Sequence, residues 1–559
     1  LGIGSGTIAR MHHALGDRTM SILESNPYRL AEWIPGIGFR MADIMGRAFG
    51  LPAEAPVRHE AALDHIMEEA EQKNGDLYLE EELLLRRAAK LLGQDRSVLR
   101  QSLENMISTQ RISREETPEG PICQRWLAAQ SEQSAARHLL RISRAEMDAP
   151  PLPPGQGLWG EDPDFRPDPE QSLGVQAVIN HPLVIITGGP GTGKTTLIRA
   201  LIQVADGQGW RTRLAAPTGR AAKRMEESTG AEASTIHRLL RYDPEKQAFS
   251  HNASKPVPAD LLIIDEASML DTYLMLHLLR ALSTGTRLVL LGDRDQLPSV
   301  GPGNVLRDLI ASGFFQTVFL EHNHRQEQGS LIITNALNIR EGSPLITKPY
   351  RDDLDFVLLG IQSEEEALAR VLRVLHYYRE QVPPSGSGIQ ILCPMYRGQA
   401  GIDNLNLVIQ EAFNPGQPLK PRSRMKFRAG DKVMQLRNNY EKEIYNGEMG
   451  IVESVDIEKE TATVSFDGLR LEYHGEELEE LTLAYAITVH KAQGSEFDLV
   501  ILLLLSAHHI MLSREIFYTA VTRARKRLIL ISDAEAISRA LANAAPSKRR
   551  TRLPERLRE

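Results

Sequence analysis

The sequence predicts an α/β chain: two parallel-sheet units, a small β-barrel set into the second, and an all-α region ahead of both. Three observations predict it. After Gln171, short apolar runs rich in β-formers ("LVIIT", "TRLAAPT", "LLIIDEAS", "RLVLLGD") alternate with helical segments, the mark of a parallel sheet flanked by helices. A second set follows: "IQILCPM", "TLAYAITVH", "DLVILLLL" and "RLILIS". Between its members, "GDKVMQLRNN", "GEMGIVESVD", "TATVSFDG" and "LRLEYHG" read as short strands joined by turns.

In chain order, residues 1–51 carry a repeat: "GIGSGTIARM" at Gly2 returns as "GIGFRMADIM" at Gly36. Each is a tight glycine turn leading into helical spacing. Glycine lets backbone approach a phosphate, and a helix start offers amide donors. Gly36 and Gly38 are therefore candidate DNA contacts, although a short helical turn explains the same residues. Residues 52–147, as in "LEEELLLRRAAKLLG", have 3.6-residue periodicity and read as a helical, winged-helix-like domain. Residues 148–170 are Pro-rich and acidic, a linker. The first α/β unit takes 171–318, interrupted at 241–257 by a predicted hairpin turning near Asp243–Lys246. The second takes 319–426 and 483–546 around a barrel at 427–482. The basic end 547–559, "SKRRTRLPERLRE", reads as a solvated tail.

Composition bounds the class. The 559 residues are 42% hydrophobic and 25% charged, as in ordinary globular proteins. The longest apolar run, "LVILLLLSA", is too short to span a bilayer and reads as a buried strand. No signal peptide is visible, and the chain opens inside a motif without methionine, so it is expected to lack its N-terminus. Cys123 and Cys393 are the only cysteines; they exclude a multi-cysteine metal centre and suggest a reducing cytoplasm. A net charge of −8 argues weakly against nucleic acid, but it averages over faces and leaves a local basic groove open.

The stretch "TGGPGTGKTT" fits G-x-x-x-x-G-K-[ST] between a strand and a helix. Gly189, Pro190, Gly191, Thr192, Gly193 and Thr196 shape the loop whose amides face phosphates. Lys194 meets the β- and γ-phosphates, and Thr195 offers a hydroxyl to Mg²⁺. "LLIIDEAS" is a buried strand ending in Asp265, assigned to the metal, and Glu266, assigned to the attacking water. These parts make a nucleotide hydrolase. Gln296 follows a third strand, where an amide can sense the γ-phosphate. Thr218 and Arg220 lie in "APTGRAAKRM", Thr235 and His237 in "STIHRLL", Arg325 in "LEHNHRQ", Thr488, His490, Lys491, Gln493 and Glu496 in "AITVHKAQGSEFD", and Arg523 and Arg525 in "YTAVTRARKR".

In order, these segments resemble the motifs of superfamily 1 DNA helicases, most closely the RecD-like branch in its long form with an extra N-terminal helix-hairpin-helix region. The resemblance runs from Gln171 to Lys526. It implies two RecA-like domains with ATP and Mg²⁺ between them and an SH3-like barrel. It implies that Gln171 reads adenine, although Gly174 stands where a larger residue is usual. It implies that Glu496 contacts ribose, that Gln296 couples phosphate to DNA, and that Arg325 and Arg523 reach in from the second domain. Thr218, Arg220, His237, Thr488 and His490 become the single-strand contacts, and the 241–257 hairpin a strand-separating pin. Movement 5′ to 3′ is implied by the resemblance alone.

The expected partners are single-stranded DNA and single-strand/duplex junctions, with a single-strand-binding or repair protein as a further one. No membrane partner is expected, and the chain is read as a monomer. Two other readings stay open: a DNA-stimulated ATPase or switch that never unwinds, and a DNA-binding repair scaffold with an idle ATP site. Strand displacement separates the first from a helicase; intact Lys194, Asp265, Glu266 and Arg523 argue against the second. No acidic metal cluster beyond Asp265–Glu266 supports a nuclease. Lys194→Ala is expected to abolish ATP turnover while leaving DNA binding largely intact. Paired ATPase and strand-binding titrations check this, and wild-type hydrolysis in the variant would refute the site.

Overall fold

The computed structural model describes residues 5–16, 18–34, 36–147, 168–323, 329–349, 351–381, 383, 386, 388–416, 426–439, 441–544 and 549–559. Arg325 and most of the 148–170 linker lie outside the described residues.

The first lobe is a six-stranded parallel sheet. Its strands run in the order Gln316–Leu320, Leu183–Gly188, Arg287–Gly292, Leu261–Ile264, Thr212–Ala216, Ala233–Thr235. Helices cover both faces, which is why the central strands are apolar without alternation: Leu261 to Ile264 are all fully buried. A parallel sheet gathers its carboxyl-terminal strand ends on one edge, where ligands of such folds bind. Here that edge receives the 188–194 loop, Thr218, Asp265 and Asp293, each just past its strand.

The second lobe is a five-stranded parallel sheet in the order Phe356–Gly360, Ala524–Ser532, Phe497–Leu504, Ile389–Leu392, Ala486–Ile487. Between its chain segments sits an antiparallel five-stranded sheet: Leu469–His474, Thr461–Phe466, Met449–Asp456, Lys432–Gln435, Leu481–Leu483. The two share one continuous core, from Leu502 and Ile529 through Val433 to Val464 and Tyr473. The predicted hairpin is present but short, with Tyr242 opposite Phe249 and Asp243 opposite Ala248.

The N-terminal region is not all helical. Four helices between Ser5 and Ala48 precede Pro56–Asn74, Glu81–Leu92 and Arg96–Ser108. A three-stranded sheet then forms from Leu79–Glu80, Gly120–Arg125 and Ile112–Thr117. The all-α expectation, though not the winged-helix-like one, left no place for "ISREETPEGPICQR", a hairpin whose alternation is hidden by charged residues on its open face. Trp126–Ser143 then packs through Leu139 and Ile142 into the first lobe's core.

The basic end is not a solvated tail. Leu553 and Leu557 are buried in that same core. Arg552 and Arg556 pair with Glu115 at 2.5 and 2.6 Å. The Arg552 amide donates to the buried carboxylate of Glu132 at 2.7 Å, and burial pushes Glu132 up to about 7. Charge density suggested solvation; two leucines at i, i+4 spacing and carboxylates on the facing surface decide otherwise. Leu553→Ala is expected to cost about 2–5 kcal/mol, read from denaturant unfolding; a change within error would restore the solvated-tail reading.

Candidate active site and nucleic-acid groove

The 188–194 loop turns through two left-handed glycines, Gly191 at φ 77° and Gly193 at φ 79°, a conformation that costs any other residue. Gly188 is needed for space, since a Cβ there would meet Thr192 Oγ1 at 2.7 Å and Leu320 Cβ at 2.8 Å. Helix Lys194–Gly207 begins at the loop and adds its amide end. Lys194 Nζ donates to the carbonyls of Gly188 and Gly189 at 2.6 and 2.9 Å, so the ammonium is held over the loop. Thr195 is exposed at the helix start.

Opposite lie Asp265 and Glu266, both buried. Glu266 takes left-handed φ 52°, a strained conformation for a side chain of its size. Burial, with the charge of Glu266 beside it, pushes Asp265 up against the pull of Arg224 and Lys194. Burial would raise Glu266 too, but Arg224, then Arg523 and Lys194, outweigh it and hold its carboxyl below the usual range. A hydroxyl and a buried, under-neutralised carboxylate are hard oxygen donors, the set that suits Mg²⁺.

Arg224 lies four residues beyond Arg220 in "APTGRAAKRM". Its guanidinium bridges Glu266 at 2.9 Å and Glu496 at 3.2 Å, joining the first lobe's acid to the second lobe. Arg523 is buried and held by its own lobe, on the carbonyls of Thr519 at 3.1 Å and Ser495 at 3.2 Å. Tyr518, unremarked in the sequence, donates to Asp293 at 2.9 Å across the seam. Asp293 also accepts from Gln296 at 3.2 Å. A cavity of about 220 Å³ beside the loop is walled by Gly188, Gly189, Pro190, Thr192 and Asp293 from one lobe and by Ile333, Leu337, Arg340 and Tyr518 from the other.

Gln171 serves a local helix cap. Its side-chain oxygen accepts from Asp168 N–H at 3.1 Å in a capping box that starts helix Pro169–Asn180, and the residue is buried. The Asp-Pro-Glu-Gln sequence carried that capping signal.

Four of the predicted strand contacts converge. Thr218, Arg220, Thr488 and His490 line one groove of about 720 Å³ between the lobes. Val300, Tyr396 and Ile510 join them, exposed at 70%, 47% and 75%. Exposed apolar and aromatic groups beside hydroxyls are what base stacking on a single strand needs. Burial, then the Arg549 guanidinium, holds His490 below its ordinary value. His237 does not join the groove. Its ring packs on Tyr242 and Phe249 at 5.8 and 5.6 Å, under the hairpin.

Gly36 and Gly38 also lie elsewhere. They border a cleft of about 790 Å³ that Glu60, Asp64, Glu68 and Glu69 line as well. Its Lys73, Arg111 and Arg125 are paired to Glu69, Glu60 and Asp64. A phosphate at that cleft would meet carboxylates rather than free cations. Among the described residues no group of three or more His, Cys, Asp or Glu could hold a metal, and no helix is long and apolar enough to cross a membrane.

Family models match four stretches: an AAA domain over residues 171–302, an ATP-dependent RecD-like DNA helicase SH3 domain over 405–466, a UvrD-like helicase C-terminal domain over 483–531, and an ATP-dependent RecD2 DNA helicase HHH domain over 1–78. The chain is 36% identical over 573 residues to an ATP-dependent RecD2 DNA helicase of Deinococcus radiodurans, spanning 100% of this chain and 77% of that one. It is 32% identical over 432 residues to the RecBCD enzyme subunit RecD of Mycolicibacterium smegmatis, spanning 70% of this chain and 75% of the relative. A crystal structure of Pif1 helicase from Bacteroides with ADP-AlF3 and ssDNA matches at 22% identity and TM-score 0.42, covering 68% of this chain and 95% of that one, too distant for any inference about the site.

Arg224→Ala is expected to slow hydrolysis roughly tenfold or more and to move the acid limb of the kcat–pH profile to higher pH. The sign follows from charge: without Arg224, burial dominates, Glu266 binds its proton more tightly and must be ionised to orient water. An unshifted acid limb would remove Arg224 from the site.

Proposed function

The chain belongs to the family of ATP-dependent RecD2 DNA helicases, and from that premise we propose that it moves 5′ to 3′ along single-stranded DNA and opens duplex at single-strand junctions, serving repair or recombination as a monomer. ATP is the fuel. Lys194 steadies its terminal phosphates, Glu266 orients the water, and Thr195 with Asp265 would hold Mg²⁺, which supplies charge neutralisation to the transferring phosphoryl group when bound. Arg523 completes the charge stabilisation from the second lobe. Such an arginine is worth roughly 10³–10⁵ in rate, so hydrolysis waits for the cleft to close.

One observation carries the reading: the cavity beside the phosphate loop is walled by both lobes, and the same seam continues into the groove. Gln296 bonds Asp293 in the cleft, while the next residue, Leu297, accepts from Gln493 at 2.9 Å and donates its amide to Thr519 at 2.9 Å. Gln493 itself lines the groove. A change at the phosphate therefore reaches the strand contacts through one short segment. Thr218, Arg220, Thr488 and His490 are the proposed grips, two on each lobe. We also divide the chain as the motif order suggests, with RecA-like domains over 171–318 and over 319–426 plus 483–546.

Strand displacement on duplexes with a 5′ or a 3′ tail tests this. The 5′-tailed duplex is expected to unwind, and the 3′-tailed one not. ATP turnover without displacement on either would favour a non-unwinding switch. Deleting Asp243 to Ser254 is expected to spare translocation, measured by streptavidin displacement from a single strand, and to impair unwinding; full unwinding by the deletion would rule out the pin.

A further inference from the structure

Ser299–Gly303 runs between the nucleotide cleft and the strand groove. It follows Gln296 and carries Val300, the most exposed apolar side chain of the groove wall apart from Ile510. Gly301 and Gly303 loosen it on either side of Pro302. Ser299 Oγ donates to Gly301 O at 2.9 Å and Thr272 N–H to Pro302 O at 3.0 Å, and something further along the chain must gather the loop as a whole.

The far end of the chain does so. Arg549 Nη1 donates to Ser299 Oγ at 3.1 Å, Gly301 O at 2.6 Å and Gly303 O at 2.7 Å. Its Nη2 donates to Ser299 O at 2.5 Å. One planar fork thus gathers the loop's carbonyls, a geometry that an ammonium cannot reproduce. The notch is cut to size. Gly75, at φ 72°, leaves room where a Cβ would stand 2.4 Å from Arg549 Cζ, and its carbonyl accepts from Gly303 N–H at 2.9 Å.

The next residue is tied to the N-terminal region. Arg550 pairs with Asp76 and Glu80, both at 3.1 Å. Its amide donates to Asp76 at 2.9 Å, and its carbonyl accepts from Leu77 N–H at 2.7 Å. Two consecutive arginines therefore face opposite ways, one into the loop and one into the turn that ends helix Pro56–Asn74.

We propose that Arg549 is a positioning residue for strand-coupled hydrolysis, holding Ser299–Gly303 so that Val300 faces the strand while Gln296 stays in the cleft, and that Arg550–Asp76 ties this loop to the N-terminal region. The proposal rests on the groove being the strand track. It makes the terminal strap and the N-terminal region part of the coupling between ATP use and strand movement.

The test compares the full chain with Arg549→Ala, Arg549→Lys and Glu115→Gln, the last loosening only the strap's outer anchorage. The readouts are the strand concentration giving half-maximal ATP turnover, base pairs unwound per ATP on a 5′-tailed duplex, and the thermal midpoint. Both Arg549 variants are expected to raise the half-saturating strand concentration and to lower base pairs per ATP, each roughly tenfold or more. Glu115→Gln is expected to lower the midpoint with wild-type coupling. Wild-type half-saturation and wild-type base pairs per ATP in Arg549→Ala would overturn the proposal, and so would full recovery by Arg549→Lys, since a point charge would then suffice. If the alanine variant fails to fold, the lysine variant still decides. Loss of strand-stimulated turnover in the unaltered chain would instead sink the groove reading itself.

Discussion

Two adjacent carboxylates buried at a strand end set the terms for this molecule. Asp265 and Glu266 cannot both stay ionised away from water without nearby cations, because burying an unpaired charge costs several kcal/mol. The first lobe provides Lys194 and Arg224. A third cation comes from across the seam, where Arg523 bears on Glu266, while Glu496 of that lobe draws Arg224 toward the seam. Neutralising the acids is therefore a property of the closed pair of lobes. A catalytic pair whose charge balance needs both lobes is a pair whose chemistry reports their distance.

The seam transmits that dependence because its polar contacts are consecutive in sequence on each side. Asp293, Gln296 and Leu297 follow one strand; Tyr518 and Thr519 lie on one helix of the other lobe. Such a contact set shifts as a unit, since a helix and a strand end are stiff compared with the loop between them. Ser299–Gly303 is the soft part, and it lies between two stiff clamps, Gln493 on one side and Arg549 on the other.

Much of this was legible in the sequence, and what was legible shares a cause. The phosphate loop, the acids at 265–266 and the parallel sheets are local: spacing, glycine and continuous apolar runs encode them within a few residues. Part of what was missed depends on pairing across long stretches of chain, and part on how nearer neighbours fold back. The part Arg224 plays shows only with Glu496 standing opposite it. His237 read as a strand contact because hydroxyl and imidazole share a motif, but the hairpin brought Tyr242 and Phe249 onto its ring. Gln171 was read for its amide alone, while its side-chain oxygen also accepts from Asp168 N–H in a helix cap. The terminal arginines looked solvated because their carboxylates lie more than four hundred residues away.

The negative net charge and a nucleic-acid partner are compatible for the same reason. A large share of the acidic side chains named above are spent on internal arginines, at the strap, at the N-terminal cleft and at the seam. The groove keeps hydroxyls, an imidazole, apolar walls and the cations Arg220, Arg397 and Lys491. That composition suits a motor. Each phosphate held by a full cation releases a counterion and must recapture one to let go, so a lysine-lined track would bind tightly and step slowly. Stacking on Tyr396, with apolar contact to Val300 and Ile510, would carry no such debt and would treat every base alike. A track of this kind holds a strand only as firmly as the lobes press on it, which returns control of the grip to the buried carboxylates and the nucleotide beside them.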